Sequence, residues 1–332
     1  MSLRTRMSLM AMLGLSALAG PAHALELEWV TVGDPGNKPD KTGHGAVAYA
    51  FQISKHEITV AQYAEFLNAV AAKGDPHGLW NVNMGSALLT DNNQGGIRKD
   101  LPVFINRIDA AGAFHYQIVA GHERKPVVYV SFLDAMRFVN WLHNGQDRGD
   151  TETGAYHIAK HGGLARHEPG AKAWISTEDE WYKAAYFQPR SKGGSEGDYW
   201  LYPTRSNEQP TFRAEGATEP NSANFSQKDV DNIPAGTYTR MFAAGSYPGS
   251  GSYYGTFDQG GNAWEWTEAI VFDTQRGMRG GCVAHTFEKM KSPVRTSSKP
   301  EKEYPDTGFR LARPAPKTAD AAVVKPTVPK HP

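Results

Sequence analysis

A single cysteine, Cys282, serves a chain of 332 residues, although the chain opens in a way that marks it for a compartment where cysteines usually pair. Arg4 and Arg6 precede the apolar run from Met7 to Ala19, and Ala22-His23-Ala24 is a small-residue site suited to a signal peptidase. Residues 1–24 therefore read as a signal peptide, and the mature protein is expected to be periplasmic or secreted. One cysteine makes no internal disulfide, so the fold must be held by an apolar core or by bound ions. About 290 residues suffice for either. No later segment has the ~20 consecutive apolar residues that span a bilayer.

Charge narrows the partners. The 35 basic residues less Arg4 and Arg6 leave 33 against 35 acidic ones, which gives no field for nucleic acid or an anionic membrane. With 34 glycines, 21 prolines and an aromatic share of 11%, the composition suits a loop-rich domain pinned by aromatic side chains rather than a helical bundle. No repeat and no linker divides the chain, so residues 25–312 read as one domain. Residues 313–332, rich in proline and alanine with little to bury, are expected to be a disordered tail.

Three helix starts share one signature, a Ser or Thr followed three residues later by an acid or amide: Thr59 with Gln62, Ser131 with Asp134, and Thr177 with Glu180. Each is a strand-to-helix step, in which a short apolar or β-branched run reads as the strand: FQISKHEIT, PVVYV and AWIS. In the first helix Val60, Tyr63, Ala64, Leu67 and Val70 fall on one face. YHIAKHGG, YPGSGSYYG and FDQGGN read as hairpins and turns. The sum is α+β with few helices and short strands.

The series HEITVAQY, PVVYVSFLDAMRFVNWL, AWISTEDEWYKAAYF, FDQGGNAWEW, RGMRGG and TGFRLA resembles, in order, the sulfatase-modifying-factor or formylglycine-generating-enzyme family. The resemblance implies a C-type-lectin-like fold, often stabilised by calcium. It also implies a choice of activities: copper-dependent oxidation of a cysteine to formylglycine, iron-dependent C–S bond formation, or non-catalytic binding.

In formylglycine-generating members the decisive segment reads Gly-Gly-Ser-x-x-Cys-x4-Cys, and the two cysteines bind Cu(I). Here Gly280 and Gly281 match, Cys282 takes the serine position, His285 the first cysteine and Met290 the second. The pair of thiolates is missing. Three readings of Cys282 stay open: a small packing residue, a member of a rebuilt copper site with His285 and Met290, or a reactive thiol. The iron-dependent branch needs His-x3-His-x-Glu. His157 and His161 supply the histidines, but Gly163 stands where the glutamate belongs, and a hairpin arm there would hold the two rings about 13 Å apart.

Calcium wants several oxygens on a tight turn. The resemblance places it at the Asp258 and Glu265 side chains with the Gly261 and Ala263 carbonyls, and at a second site beginning at Asn224 with the Phe225 carbonyl, near Asp229 and Asp231. The plainer alternative is that Asp258 caps the turn while Glu265 pairs with Arg279 or Arg310. Trp264 and Trp266 are expected in the core. No serine-hydrolase elbow, phosphate-binding glycine loop or His-Glu-x2-His helix occurs. Two functions follow: an exported binding or accessory protein, presenting aromatics such as Tyr253 and Tyr254 or Trp200 and Tyr202 to a peptide, protein or glycan, or an oxidase acting through a rebuilt copper site.

Overall fold

The computed structural model describes residues 25–85, 104–147, 149–228 and 240–316. Residues 1–24, read above as a signal peptide, and residues 317–332 lie outside the described residues. In chain order the elements are β1 (Trp29–Val32), β2 (Phe51–Ser54), α1 (Val60–Val70), β3 (Ile105–Ala110), β4 (Ala113–Ile118), α2 (Phe132–His143), α3 (Ile158–His161), β5 (Trp174–Ile175) and α4 (Glu178–Tyr186). There follow β6 (Thr211–Phe212), β7 (Ser222–Ala223), β8 (Trp264–Val271), β9 (Gln275–Arg279), β10 (Thr296–Ser298), β11 (Thr307–Phe309) and β12 (Leu311–Pro314). The architecture is the expected α+β one, with short strands and long connections.

All three helix starts are capping boxes. Thr59 accepts the Gln62 N–H while the Gln62 side chain accepts the Thr59 N–H at 2.9 Å. Ser131 with Asp134 and Thr177 with Glu180 repeat the arrangement. Each satisfies two backbone donors that a helix start leaves orphaned, for about 1 kcal/mol per cap. The Glu180 carboxylate, wholly buried, also accepts from Trp174 Nε1 and Tyr49 Oη, both at 2.9 Å, so the third cap fastens α4 to β5.

The buried faces of α1 and α2 meet through rings. Phe66 lies 5.4 Å from Phe138 and from Trp141, and Phe138 lies 5.5 Å from Phe309 on β11. Edge-to-face packing of this kind adds to the area the rings bury. Trp266 is fully buried and Trp264 nearly so, as expected of core residues.

Strands form two four-stranded sheets, ordered β1-β2-β12-β5 and β10-β9-β8-β11, with β8 and β11 parallel. Arg310 links them from the turn between β11 and β12. Its guanidinium takes both Glu265 oxygens, at 2.5 and 2.6 Å, and the carbonyls of Ser54 at 3.1 Å and Phe257 at 2.9 Å.

Three expectations are corrected. PVVYV is buried but belongs to no strand: Tyr129 turns to a φ of +59°, and the backbone partners come singly, Val127 N–H donating to Ile58, Tyr129 N–H to Tyr304, and the Val130 carbonyl accepting from Trp266. YHIAKHGG is a helical turn, α3, followed by a 3-10 turn. Gly162 ends α3 at a φ of +57°, and Gly163 lies against Pro300, with no room for a Cβ. The domain also runs past 312: β12 continues to Pro314, pairing Arg313 with Gln52 and Pro314 with Phe51.

His167 stacks on Trp174 at 4.6 Å and bonds to Glu268 at 2.9 Å. Burial alone would lower its pKa, but the hydrogen bond and charge of Glu268 outweigh that and raise it. A histidine with a raised folded pKa contributes stability that is complete below the unfolded value of about 6.5 and is lost as pH rises through the folded value. Urea midpoints of the wild type should therefore fall above pH 6.5, and His167→Gln should flatten that slope. Equal slopes in both proteins would refute the assignment.

Candidate functional site

The FDQGGN turn leads into β8 through left-handed backbone at Asp258 (φ +59°), Gly261 (+83°) and Asn262 (+56°). Gly261 is obligatory for a second reason, since a Cβ there would stand 2.3 Å from the Asn224 carbonyl oxygen. That close approach lets Asn262 N–H donate to Asn224 at 2.8 Å, and it brings the two expected calcium segments together.

Within this region Glu265 is occupied by protein donors, for besides Arg310 it accepts from Trp181 Nε1 at 2.6 Å. Asp258 accepts from Gly245 N–H at 2.6 Å. The Asn224 amide donates to Arg240 and to Asn262, while its buried Oδ1 has no hydrogen-bond partner, like Oε2 of buried Glu57. Phe225 and Ala263 are buried. Asp229 and Asp231 lie outside the described residues.

Beyond β9 the chain turns through Gly280 and Gly281, at φ of +104° and +75°. This pair docks the next segment on the FDQGGN turn: Gly261 N–H donates to Gly280 and Val283 N–H to Asn262, each at 3.0 Å. Cys282 and His285 then share one tight turn, closed by His285 N–H donating to Cys282 at 3.0 Å. As a result Cys282 Sγ sits 3.0 Å from His285 Nδ1, and Trp264 Nε1 donates to the same Nδ1 at 3.2 Å.

A third group, not expected from the sequence, joins them. The thiol donates to Asp306 Oδ2 at 3.2 Å. Asp306 lies just before β11, and the parallel pairing of β11 with β8, Thr307 opposite Trp264, carries it there. Its only signal in the sequence is its place immediately before the TGFRLA motif. Burial, reinforced by the Asp306 charge, pushes the Cys282 thiol pKa well up. Burial likewise raises Asp306, against the opposing pull of the thiol and of His285.

Met290 is placed elsewhere. It is fully buried in a cluster with Tyr202, Ala223 and Phe225, and its methyl group abuts Gly260. The expected trio of Cys282, His285 and Met290 is therefore replaced by Cys282, His285 and Asp306. Burial of Tyr202 in that cluster also removes it from the aromatics available for display. Trp200 is half-buried and bonded to Gln188; Tyr253 and Tyr254 are half-buried, and Tyr254 is bonded to Asp34. His157 and His161 are exposed.

Trp264, His285 and Asp306 face a cleft of about 340 Å³ that Lys289, Arg295 and Tyr304 also line. His285 is its half-buried member, whereas Cys282 lies beneath, 1% exposed. Such a cleft combines an aromatic wall, two cations and an imidazole at one mouth.

A family model, the sulfatase-modifying factor enzyme 1-like domain (FGE-sulfatase), matches residues 30–315. Among solved structures, that of CarF is 19% identical, with 88% of this chain and 100% of that chain covered at a TM-score of 0.47. PvdO from Pseudomonas aeruginosa is 18% identical, with 88% and 93% covered at 0.43. Treponema denticola variable protein 1 is 16% identical, with 86% and 95% covered at 0.45. No curated protein matches the chain.

The thiol's bond to Asp306 makes a graded prediction. Cys282→Ser keeps a small donor and should cost no more than about 1 kcal/mol. Cys282→Ala leaves a buried carboxyl without its donor and should cost about 1–3 kcal/mol. Urea unfolding separates them; equal losses would mean that the sulfur matters only for its volume.

Proposed function

The chain belongs to the FGE-sulfatase family, and from that premise we propose that it works outside the cytoplasm as a binding or accessory protein and not as a two-thiolate copper oxidase. The observation that carries this reading is the fate of the two positions where the family resemblance puts copper-binding cysteines. His285 faces the cleft, while Met290 is turned into a separate apolar cluster. A linear Cu(I) site needs two soft donors across one ion, and this chain presents a single thiol, which donates to Asp306 and lies 3.0 Å from His285 Nδ1. The cleft beside His285 suits recognition of a protein, peptide or glycan.

Calcium is retained in this proposal as a structural ion. Buried Glu57 and Glu265 and half-buried Asp258 surround one guanidinium, that of Arg310. Burial, then the charges of Asp258 and Glu265, raises Glu57; burial raises Asp258 despite the Gly245 N–H and Arg310. A divalent cation would offset this excess of carboxylates. With Glu265 taken up by Arg310 and Trp181, the oxygens left for the first site are those of Asp258 with the Gly261 and Ala263 carbonyls, and the orphaned Asn224 Oδ1 supports the second, with the Phe225 carbonyl.

Three outcomes check these points. Exported protein should begin at Leu25 by N-terminal sequencing. Incubation with a Cys-x-Pro-x-Arg peptide, copper and oxygen should leave the cysteine unoxidised by mass spectrometry, and aldehyde formation at the rate of a two-cysteine relative would overturn the proposal. Calcium at a hundredfold excess over its dissociation constant should stabilise the fold by about 2.7 kcal/mol. EDTA should remove that gain and Asp258→Ala should abolish it, whereas identical melting with calcium and with EDTA would dismiss the ion.

A further inference from the structure

We propose that Cys282, His285 and Asp306 form a site for a divalent ion of the zinc type, open to the cleft beside His285. The site stands whether or not the cleft takes a ligand. The thiol, imidazole and carboxylate donor atoms all lie within 4.8 Å of one another, and no other group of three His, Cys, Asp or Glu among the described residues converges in this way.

The donors decide the class of ion. Sulfur and imidazole nitrogen are poor partners for calcium or magnesium, which take oxygen. One thiolate with a carboxylate suits a borderline divalent metal better than Cu(I). Cys, His and Asp are all zinc ligands, and three protein donors plus an open position make a site that keeps a water or an exogenous ligand. Thiolate and carboxylate together balance the charge of the ion. In binding, the S–H bond breaks and a sulfur–metal bond forms; the proton leaves to water, and nothing is oxidised or reduced.

The imidazole is already turned the right way. Because the Trp264 indole can only donate, Nδ1 of His285 is an acceptor; it lies 3.0 Å from the sulfur, and an ion between them takes the lone pair to which the indole N–H now donates. Supporting bonds hold the other donors: Asp306 Oδ1 accepts from the Thr307 hydroxyl at 3.2 Å, and the Asp306 carbonyl accepts from Trp264 N–H at 2.8 Å. Such outer partners orient metal ligands. Tetrahedral zinc, with bonds of roughly 2.3 Å to sulfur and 2.0 Å to nitrogen, keeps those atoms about 3.5 Å apart. The observed 3.0 and 3.2 Å contacts therefore open by no more than about half an ångström. A half-buried His285 on a turn has the freedom to yield that much.

The test uses untagged mature protein titrated with cobalt(II), whose bond to a thiolate gives a near-ultraviolet charge-transfer band and whose tetrahedral complexes absorb strongly in the visible. One equivalent should develop both bands, and zinc should displace it. Cys282→Ser should abolish the charge-transfer band while keeping the native melting profile. His285→Ala and Asp306→Asn should each weaken zinc binding by roughly tenfold or more. A His157→Ala, His161→Ala double variant, which removes the exposed histidine pair, should bind as the wild type does. The proposal is overturned if no charge-transfer band forms, if the band survives Cys282→Ser, or if only the histidine-pair variant loses binding. None of these readouts depends on the peptide-oxidation assay, so the two conclusions fail separately.

Discussion

A guanidinium and a carboxylate in direct contact tie the two four-stranded sheets of this protein together. The side chains of Arg310 and Glu265 are both at zero exposure. Removing one partner of such a pair typically costs about 3–5 kcal/mol, because the other is left charged in a poor dielectric. That is a large part of the 5–15 kcal/mol by which domains are stable. The pair is tolerated because it is fully bonded: Arg310 also holds the backbone of β2 and of the FDQGGN turn, and Glu265 also holds Trp181 of α4. Without a disulfide, this network supplies the cross-links that a loop-rich chain needs.

The same demand recurs nearby. Arg276 is fully buried and spends its donors on the carbonyls of Gly163, Ala165 and Glu268, while Arg279 pairs with Glu178 and reaches Ser292 and Val294. Apart from Glu268 on β8, the carbonyls these arginines gather belong to turns and loops outside the strands and α-helices. Long connections are thus fixed by side chains from β9, and the cleft beside His285 stands on a rigid floor.

What the sequence revealed of this arrangement depended on distance along the chain. The capping boxes at Thr59, Ser131 and Thr177 were legible because their donors and acceptors lie three residues apart. Cys282 and His285 were legible as a pair for the same reason. PVVYV was misread because an apolar β-branched run has the same signature whether it joins a ladder or is bonded piecemeal by loops. Asp306 was missed and Met290 wrongly included because parallel pairing of β11 with β8 and the packing of a separate cluster decide their places. Neither leaves a mark at short range. Glu265 could be placed in a calcium site or in an ion pair from sequence alone, and the structure seats Arg310 against it.

The position of the last strand sets an order of events. β12 lies inside its sheet, between β2 and β5, so the last strand among the described residues is the one that joins the earliest of them to the middle of the chain. Arg310 arrives with it. A growing chain that lacks this segment has neither the central rung of one sheet nor the cation that gathers Glu265, Ser54 and Phe257, so its loops must close over long separations before any reward is collected. The N-terminal portion consequently lacks its central rung until β12 is present, a dependence that suits the passage out of the cytoplasm proposed above.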